Sequence, residues 1–429
     1  MAKKDTTIYL CDQCGNEFPV WSGKCSLCGA WNSLKELRIQ NVGTKASKRS
    51  NRQVEPSKIS DVKVDGFSRK KTNISEFDRV LGGGVVPGSI TLLGGEPGIG
   101  KSTLILQVAS AIGDVLYNSA EESIHQVKMR ADRLNIGNSS INLLSETSVE
   151  AVISLAQKQR PGLLIVDSIQ TISSENYDAT AGSIIQVREC GIILQQFAKN
   201  SGIPVLIIGH VTKEGNLAGP RILEHLVDTV LYLEGERFND ARILRGVKNR
   251  FGATDEIGIF TMQETGMMPV NNPSEIFLSE RQAGPGSVVT VILEGTRPLL
   301  VEIQSLVMPT NFGYPKRTSS GFDLNRLNLL AAVISKRAGV NVNNYDIYLN
   351  VVGGVKLKEP AADLAVAAAI ISSLRNKPFA KDSCFFGEVG LMGEVRNVTR
   401  EKDRSKESEK LGFNSIKVSN IKELVNLMN

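Results

Sequence analysis

The sequence predicts an α/β fold built on a mainly parallel sheet, with a small metal-stapled module before it and an α+β domain after it. Three observations predict this. Between about residues 61 and 270, short β-branched runs alternate with helical stretches, the rhythm of strand–helix units with helices on both faces of one sheet. A glycine-rich loop, Gly94–Thr103, falls where one strand gives way to a helix. Four of the six cysteines lie within the first 28 residues as two Cys-x-x-Cys pairs.

The chain has 429 residues, beyond the usual single-domain size, so two or three domains are expected. Composition shifts divide it into residues 1–34, a basic linker over 35–60, an α/β core over 61–272 and a last domain over 273–429. The linker holds Lys35, Arg38, Lys45, Lys48, Arg49, Arg52 and Lys58 against only Glu36 and Glu55, a composition that buries little. Net charge is +5, too mild by itself to argue for nucleic acid. No stretch approaches the roughly 18 apolar residues of a membrane span, and Met1–Leu10 lacks an apolar signal core. The expected setting is the cytoplasm, with no membrane partner.

In the first module, Cys11-x-x-Cys14 and Cys25-x-x-Cys28 are ten residues apart, and each pair is followed by a glycine, Gly15 and Gly29. A reducing cytosol disfavours disulfides, and four thiolates close a tetrahedral zinc site with no open position. The predicted zinc is therefore structural. Cys190 and Cys384 stand alone.

In the core, strands are expected at Ser89–Leu93, Asp114–Asn118, Leu163–Val166 and Pro204–Ile208, with helices at 101–112 and 183–200. Gly94 through Ser102 contains G-x-x-x-x-G-K-S between the first strand and the first helix. Such a loop turns backbone N–H groups inward around phosphate oxygens, at a helix N-terminus that adds positive potential. Gly95, Glu96, Pro97, Gly98, Ile99, Gly100, Lys101, Ser102 and Thr103 are thus the candidate ATP-binding residues. Lys101 would reach the β- and γ-phosphates, and Ser102 would ligate Mg2+. Asp167 ends the apolar run Leu163–Val166 and would hold magnesium through water. Glu121 and Glu122 follow the strand at Val115–Asn118, on the edge where open sheets bind ligands. Glu121 is the first candidate to polarise the attacking water, and Glu122 the second.

In the last domain, Ser287–Leu293 and Leu299–Ser305 read as paired strands. Leu324, Leu327, Ala331 and Ile334 share one helical face. Pro360 opens a second helix, Ala361–Leu374, apolar nearly all round and so expected to be buried.

Together these motifs resemble bacterial RadA, also called Sms, a family of DNA-repair ATPases. The resemblance spans the ribbon cysteines, Leu81-Gly82-Gly83-Gly84-Val85-Val86-Pro87-Gly88-Ser89, the phosphate loop, Ser119–Ser123, Leu164–Gln170 and, most diagnostic, Lys248-Asn249-Arg250-Phe251-Gly252. It implies a RecA-like P-loop ATPase core with an N-terminal four-cysteine zinc ribbon and a C-terminal Lon-protease-like α+β domain. It further implies a hexameric ring that moves on single-stranded DNA and promotes branch migration of recombination intermediates with the RecA-type recombinase. In that picture Lys248 and Arg250, after a strand expected at 241–247, act on ATP held by the neighbouring subunit. An arginine finger needs such an anchored base.

Residues 275–429 resemble the proteolytic domain of Lon, with Gly387–Val389 and Glu394–Val395 following its strand pattern. Where that domain carries its nucleophilic serine, this chain reads Glu359-Pro360-Ala361-Ala362-Asp363. Lys402 is expected near the position of the partner lysine, but a lone lysine cannot run acyl transfer. The expected role is a scaffold and DNA-binding domain. Two loops, Ser173–Gln186 and Thr212–Arg221, would face DNA, with Lys213, Asn216 and Arg221 contacting its backbone. Lys316 and Arg317 are further candidates, Lys336 and Arg337 read as a solvated helix face, and His210 could sense the γ-phosphate. A second functional class remains open, an ATP-switched DNA clamp or recombinase mediator without translocation.

Overall fold

The computed structural model describes residues 6–11, 17–39, 68–137, 140–209, 221–235, 241–279, 281–310 and 313–428. By its internal contacts the chain divides into two units, Met1–Pro269 and Val270–Asn429.

At the front, β1 (Thr6–Cys11) pairs antiparallel with β2 (Glu17–Phe18) and β3 (Leu34–Ile39), in the order β2-β1-β3. Cys11, Cys25 and Leu34 form its small buried centre, with Tyr9 and Phe18 packed against it. So little apolar surface cannot hold a fold by itself, which is why the thiols matter.

The main sheet has nine strands. After α1 (Ser75–Leu81) come β4 (Ile90–Gly95), α2 (Lys101–Ile112), β5 (Val115–Ser119), α3 (Ile124–Arg133), β6 (Ile141–Leu144), α4 (Val149–Gln159) and β7 (Leu163–Asp167). Then follow α5 (Ile184–Ser201), β8 (Val205–Ile208), α6 (Arg221–Leu226), β9 (Thr229–Glu234), β10 (Ala241–Asn249), β11 (Ile257–Gln263) and β12 (Gly266–Pro269). The order is β12-β11-β10-β9-β4-β8-β7-β5-β6. Strands β4 to β9 run parallel to one another, and the β10–β12 flank joins β9 antiparallel. Adjacent residues split between two cores: Leu93, Tyr117 and Ile165 face one, Leu92, Leu116 and Leu164 the other. That period-two partition of unbroken apolar runs is what a sheet covered on both faces requires. β4 sits centrally and delivers its C-terminal end to the phosphate loop.

The second unit opens with α7 (Pro273–Leu278), β13 (Ser287–Glu294) and β14 (Arg297–Pro309). Next are β15 (Arg317–Ser320), α8 (Leu324–Val333), β16 (Tyr345–Val351) and α9 (Asp363–Arg375). It closes with β17 (Ser383–Cys384), β18 (Glu388–Val389), β19 (Val395–Arg396), α10 (Glu401–Lys410), β20 (Asn414–Ser415) and α11 (Lys422–Asn426). Its six-stranded sheet runs β15-β16-β14-β13-β17-β20, and β18-β19 is a separate hairpin. Residues Asp363–Ser372 of α9 are all buried, and the helix packs on β13 and β14. The expected start at Ala361 shifts: Pro360–Ala362 forms one 3-10 turn and the α-helix begins at Asp363. No helix among the described residues is long and apolar enough to cross a membrane.

Candidate nucleotide site and metal centre

The phosphate loop joins the end of β4 to the start of α2. Gly95, Gly98 and Gly100 have φ of +155°, +78° and +109°, left-handed backbone that side-chain-bearing residues adopt at a cost. Space decides the issue again at Gly95, where the neighbour is backbone, whereas at Gly100 it is the movable end of a side chain. A Cβ on Gly95 would stand 2.7 Å from the Leu233 carbonyl oxygen, and one on Gly100 would stand 2.3 Å from the Met267 methyl. At Gly98 a Cβ would meet nothing within 4 Å, so the loop is open there. Gly100 caps α2 without a side-chain bond, so side-chain oxygens do not compete for the first-turn N–H groups. Lys101 is buried and its Nζ donates to the carbonyls of Gly95 and Glu96, both at 2.9 Å. Burial holds its pKa below the ordinary lysine value, against the opposing pull of Asp167 and Glu121.

Asp167 ends β7 beside this lysine, and the Asp167–Ser168 peptide bond is cis. Its carboxylate accepts a 2.7 Å hydrogen bond from the Tyr117 hydroxyl and one from Ser102. Burial pushes its pKa up; those two bonds oppose the shift, and the charges of Glu121 and Glu122 add to it. Tyr117 is fully buried, and burial with Asp167 drives its pKa well above the ordinary value. Sequence reading missed Tyr117, because nothing near it marks an acid 50 positions on. Lys101, Ser102, Glu121, Glu122 and Asp167 are thus brought together. The structure separates the adjacent acids: both Glu122 oxygens take nitrogens of Arg130 at 2.6 Å, while exposed Glu121 is felt electrostatically by Lys101 and Asp167. The cradle, one lysine, one hydroxyl and one buried carboxylate fit a nucleoside triphosphate with its magnesium ion. Lys101 and the loop amides would hold phosphate, and Ser102 and Asp167 the metal.

In the front module the Sγ atoms of Cys11, Cys25 and Cys28 lie within 4.8 Å of one another, with Cys11 and Cys28 at 3.6 Å. Sulfurs bound about 2.3 Å from one tetrahedral zinc are themselves about 3.8 Å apart, so the three fit that ion. Gly29, at φ +76°, donates to the Cys25 carbonyl and closes the knuckle. Cys14 lies outside the described residues.

Residues 53–216 match the AAA domain family, and residues 9–36 match the rubredoxin metal binding domain family. The chain is 53% identical to the DNA repair protein RadA of Bacillus subtilis, over 96% of this chain and 92% of that protein. It is 51% identical to that of Streptococcus pyogenes and 50% to that of Listeria monocytogenes, each over 97% of this chain and 93% of theirs. The chain belongs to the DNA repair protein RadA family. It is a RecA-like P-loop ATPase with an N-terminal zinc ribbon.

The segment Lys248–Gly252 lies at the other end of the sheet. Lys248 and Asn249 pair with Val230 and Thr229, at the start of β9, while Gly95 pairs with Leu233 near its end. Lys248 donates to the carbonyls of Glu224 at 2.6 Å and Val227 at 2.8 Å, closing the C-terminus of α6. Burial holds its pKa below the ordinary value, with Arg250 adding to the effect. Arg250 pairs with Asp228 at 3.3 Å, and the same carboxylate accepts from the Ile90 N–H at 3.1 Å. Asn249 reaches the Val80 carbonyl, and Arg69 donates to the carbonyls of Leu81 and Phe251. The signature therefore packs against the Leu81–Gly84 turn, where Gly82 at φ +77° ends α1.

Of the DNA-facing candidates, Lys213, Asn216 and His210 lie outside the described residues. Arg221 begins α6, and its side chain likewise lies outside them. The loop Ser173–Gln186 is tied down: Gln186 is buried and accepts from the Ser174 N–H while donating to the carbonyls of Ser174, Tyr177 and Ala179.

In the second unit, Ala361 is buried between two ion pairs. Glu359 is bound by Arg404 at 2.9 and 2.5 Å, and Asp363 is bound by Arg326. Lys402 is exposed on α10, while Arg404, two residues on, is buried and holds Glu359. Burial pushes the pKa of Asp363 up, against its bonds to Arg326. Lys336 is exposed, whereas Arg337 bonds the Leu391 carbonyl, so that pair is only half solvated. Lys336 and Arg337 also sit in a π-turn, Ile334–Ala338, rather than on a regular helix face.

Proposed function

We propose that this chain is a DNA-dependent ATPase of homologous recombination and repair. It works as a ring-shaped motor on single-stranded DNA and promotes branch migration of recombination intermediates with the RecA-type recombinase. The observation that carries this reading is the position of Lys248 and Arg250. Arg250 stands at the level of Ile90, five residues or about 17 Å along β4 from Gly95, so it serves no phosphate on its own loop. In a head-to-tail ring the same edge meets the neighbour's nucleotide, where a strand-anchored arginine neutralises charge developing on the γ-phosphate. ATP and Mg2+ occupy the Gly95–Thr103 loop with Ser102 and Asp167, Glu121 orients water, and zinc staples the ribbon through Cys11, Cys14, Cys25 and Cys28.

Within this reading the chain is organised as ribbon, basic linker, ATPase domain and a Lon-like domain, bounded as the sequence suggests. That last domain is a scaffold without proteolytic activity, since a methyl group stands at Ala361 where acyl transfer needs a nucleophile. Lys213, Asn216 and Arg221 contact the DNA backbone. The RadA names of the curated relatives support the repair role, and the setting is cytoplasmic.

The test supplies a recombinase-made joint with long homologous flanks and follows heteroduplex length. Wild type should extend it with ATP, and Lys101→Ala should not. Equal extension by both proteins would replace the motor with an ATP-switched clamp.

A further inference from the structure

The zinc ribbon leaves its largest side chains in solvent. Trp21 is 54% exposed and Trp31 71% exposed, and Val20 and Leu27 of the same module are exposed to about the same degree, 71% and 69%. Tryptophan is highly buried on average, and four exposed large apolar side chains on so small a module mark a contact surface. The ribbon does not need these rings for its fold, because its centre is Cys11, Cys25 and Leu34 with Tyr9 and Phe18.

The rings share one turn. Lys24 bridges Trp31 in antiparallel fashion, and the neighbouring Gly23 carbonyl accepts from Asn32 N–H at 2.8 Å. Trp21 reaches back over Gly23, where a Cβ would lie 3.9 Å from its ring edge. The Lys24 ammonium stands over the Trp31 ring, 5.4 Å from its centroid. An exposed indole flanked by a cation offers what a nucleotide offers in return, a flat π-face beside a phosphate. Charge selects between nucleic acid and an apolar protein surface. The sequence directly after the ribbon, residues 35–60, carries seven lysines and arginines against two glutamates, a polyanion-directed balance that an apolar protein partner would leave unexplained.

We propose that the zinc ribbon carries a stacking platform for single-stranded DNA, in which Trp21 and Trp31 take bases and Lys24 takes a phosphate. This rests on the reading of the chain as a single-strand-binding motor and adds to it a second, ATP-independent contact outside the ring core. Stacking is indifferent to base identity, which suits a module that must follow a strand of any sequence.

The experiment uses the full chain and a fluorescently labelled oligothymidylate at fixed salt. The protein has two tryptophans, both in the ribbon, so tryptophan emission reports this platform alone, while anisotropy of the label reports binding anywhere. Bound oligomer should quench tryptophan emission with or without ATP. Trp31→Ala should weaken binding about 5- to 100-fold, the range of one lost base stack. Trp31→Phe should restore most of that affinity, and zinc content should stay at the wild-type value in both variants. Saturating anisotropy with unmoved tryptophan emission, and Trp21→Ala/Trp31→Ala binding within about twofold of wild type, would overturn the platform. The apolar patch would then belong to a protein partner, and the motor reading would survive. Absence of any anisotropy rise would overturn both.

Discussion

Two adjacent carboxylates, Glu121 and Glu122, differ in what holds them. Glu122 spends both oxygens on Arg130, with side chains only 32% and 21% exposed; turning it toward a water would break a bidentate, charge-assisted pair. Glu121 lies near Lys101 and Asp167, inside the field of the site. Glu121→Gln should therefore bind nucleotide almost normally and lose about 10²- to 10⁴-fold in turnover, as expected for removal of a general base. Glu122→Gln should lose far less. Steady-state hydrolysis beside equilibrium nucleotide binding checks the ranking, and the reverse order would assign the water to Glu122. The sequence placed both acids at the right sheet edge because strand period and motif spacing are local properties. It could not choose between them. That choice lies in Arg130, eight residues on and about two helical turns beyond the nearest motif. Tyr117 was illegible for the same reason, since its partner Asp167 is a strand neighbour and not a sequence neighbour.

At the scale of elements, β4, α2, β5 and β7 were readable because apolar runs, glycine punctuation and the loop signature coincide. Helix α10 was not. Its ten residues are almost all charged or polar, which reads as a solvated rod, yet Arg404 is fully buried. From there it donates to the Val291 carbonyl of β13 at 2.6 Å, to the Thr399 carbonyl at 3.0 Å and to Glu359. Glu359 in turn accepts from the Leu293 N–H at 2.7 Å. One side chain thus ties α10, the end of β13 and the turn before α9. Removing it leaves a partly buried carboxylate and a strand carbonyl without their partner, a loss of about 3–5 kcal/mol. For a unit of this size that is a fall of roughly 6–20 °C in melting temperature. Arg404→Ala should show it by calorimetry, while Lys402→Ala, on the exposed face of the same helix, should melt within about 1 °C of wild type. A large effect at Lys402 would mean that α10 is held by its exposed charges and not by Arg404 alone.

At the scale of the molecule, one sheet carries the phosphate loop at one end and Lys248 with Arg250 at the other. Parallel β4 and β9 fix this arrangement: the chain leaves β4 at the phosphate loop, and β10, running antiparallel, delivers Lys248 and Arg250 back to the level where β4 began. In the proposed ring each site would be completed by its neighbour's edge, because a heterologous interface repeats around a closed ring. Arg250 is 51% exposed, and its buried partner Asp228 keeps the Ile90 N–H when the guanidinium is removed, so Arg250→Ala should fold and bind ATP. Its turnover should fall about 10³-fold or more. Lys101→Ala should be equally inactive, for the opposite reason. Mixed together they make interfaces in which an intact Lys101 loop from one chain meets an intact Arg250 from the next, about a quarter of all interfaces in an equal mixture. Hydrolysis should therefore reappear on mixing and rise with the time allowed for subunit exchange. Mixed rings, verified by pulling one tagged variant and recovering the other, that stay inactive would place Arg250 on its own chain's nucleotide or outside the reaction.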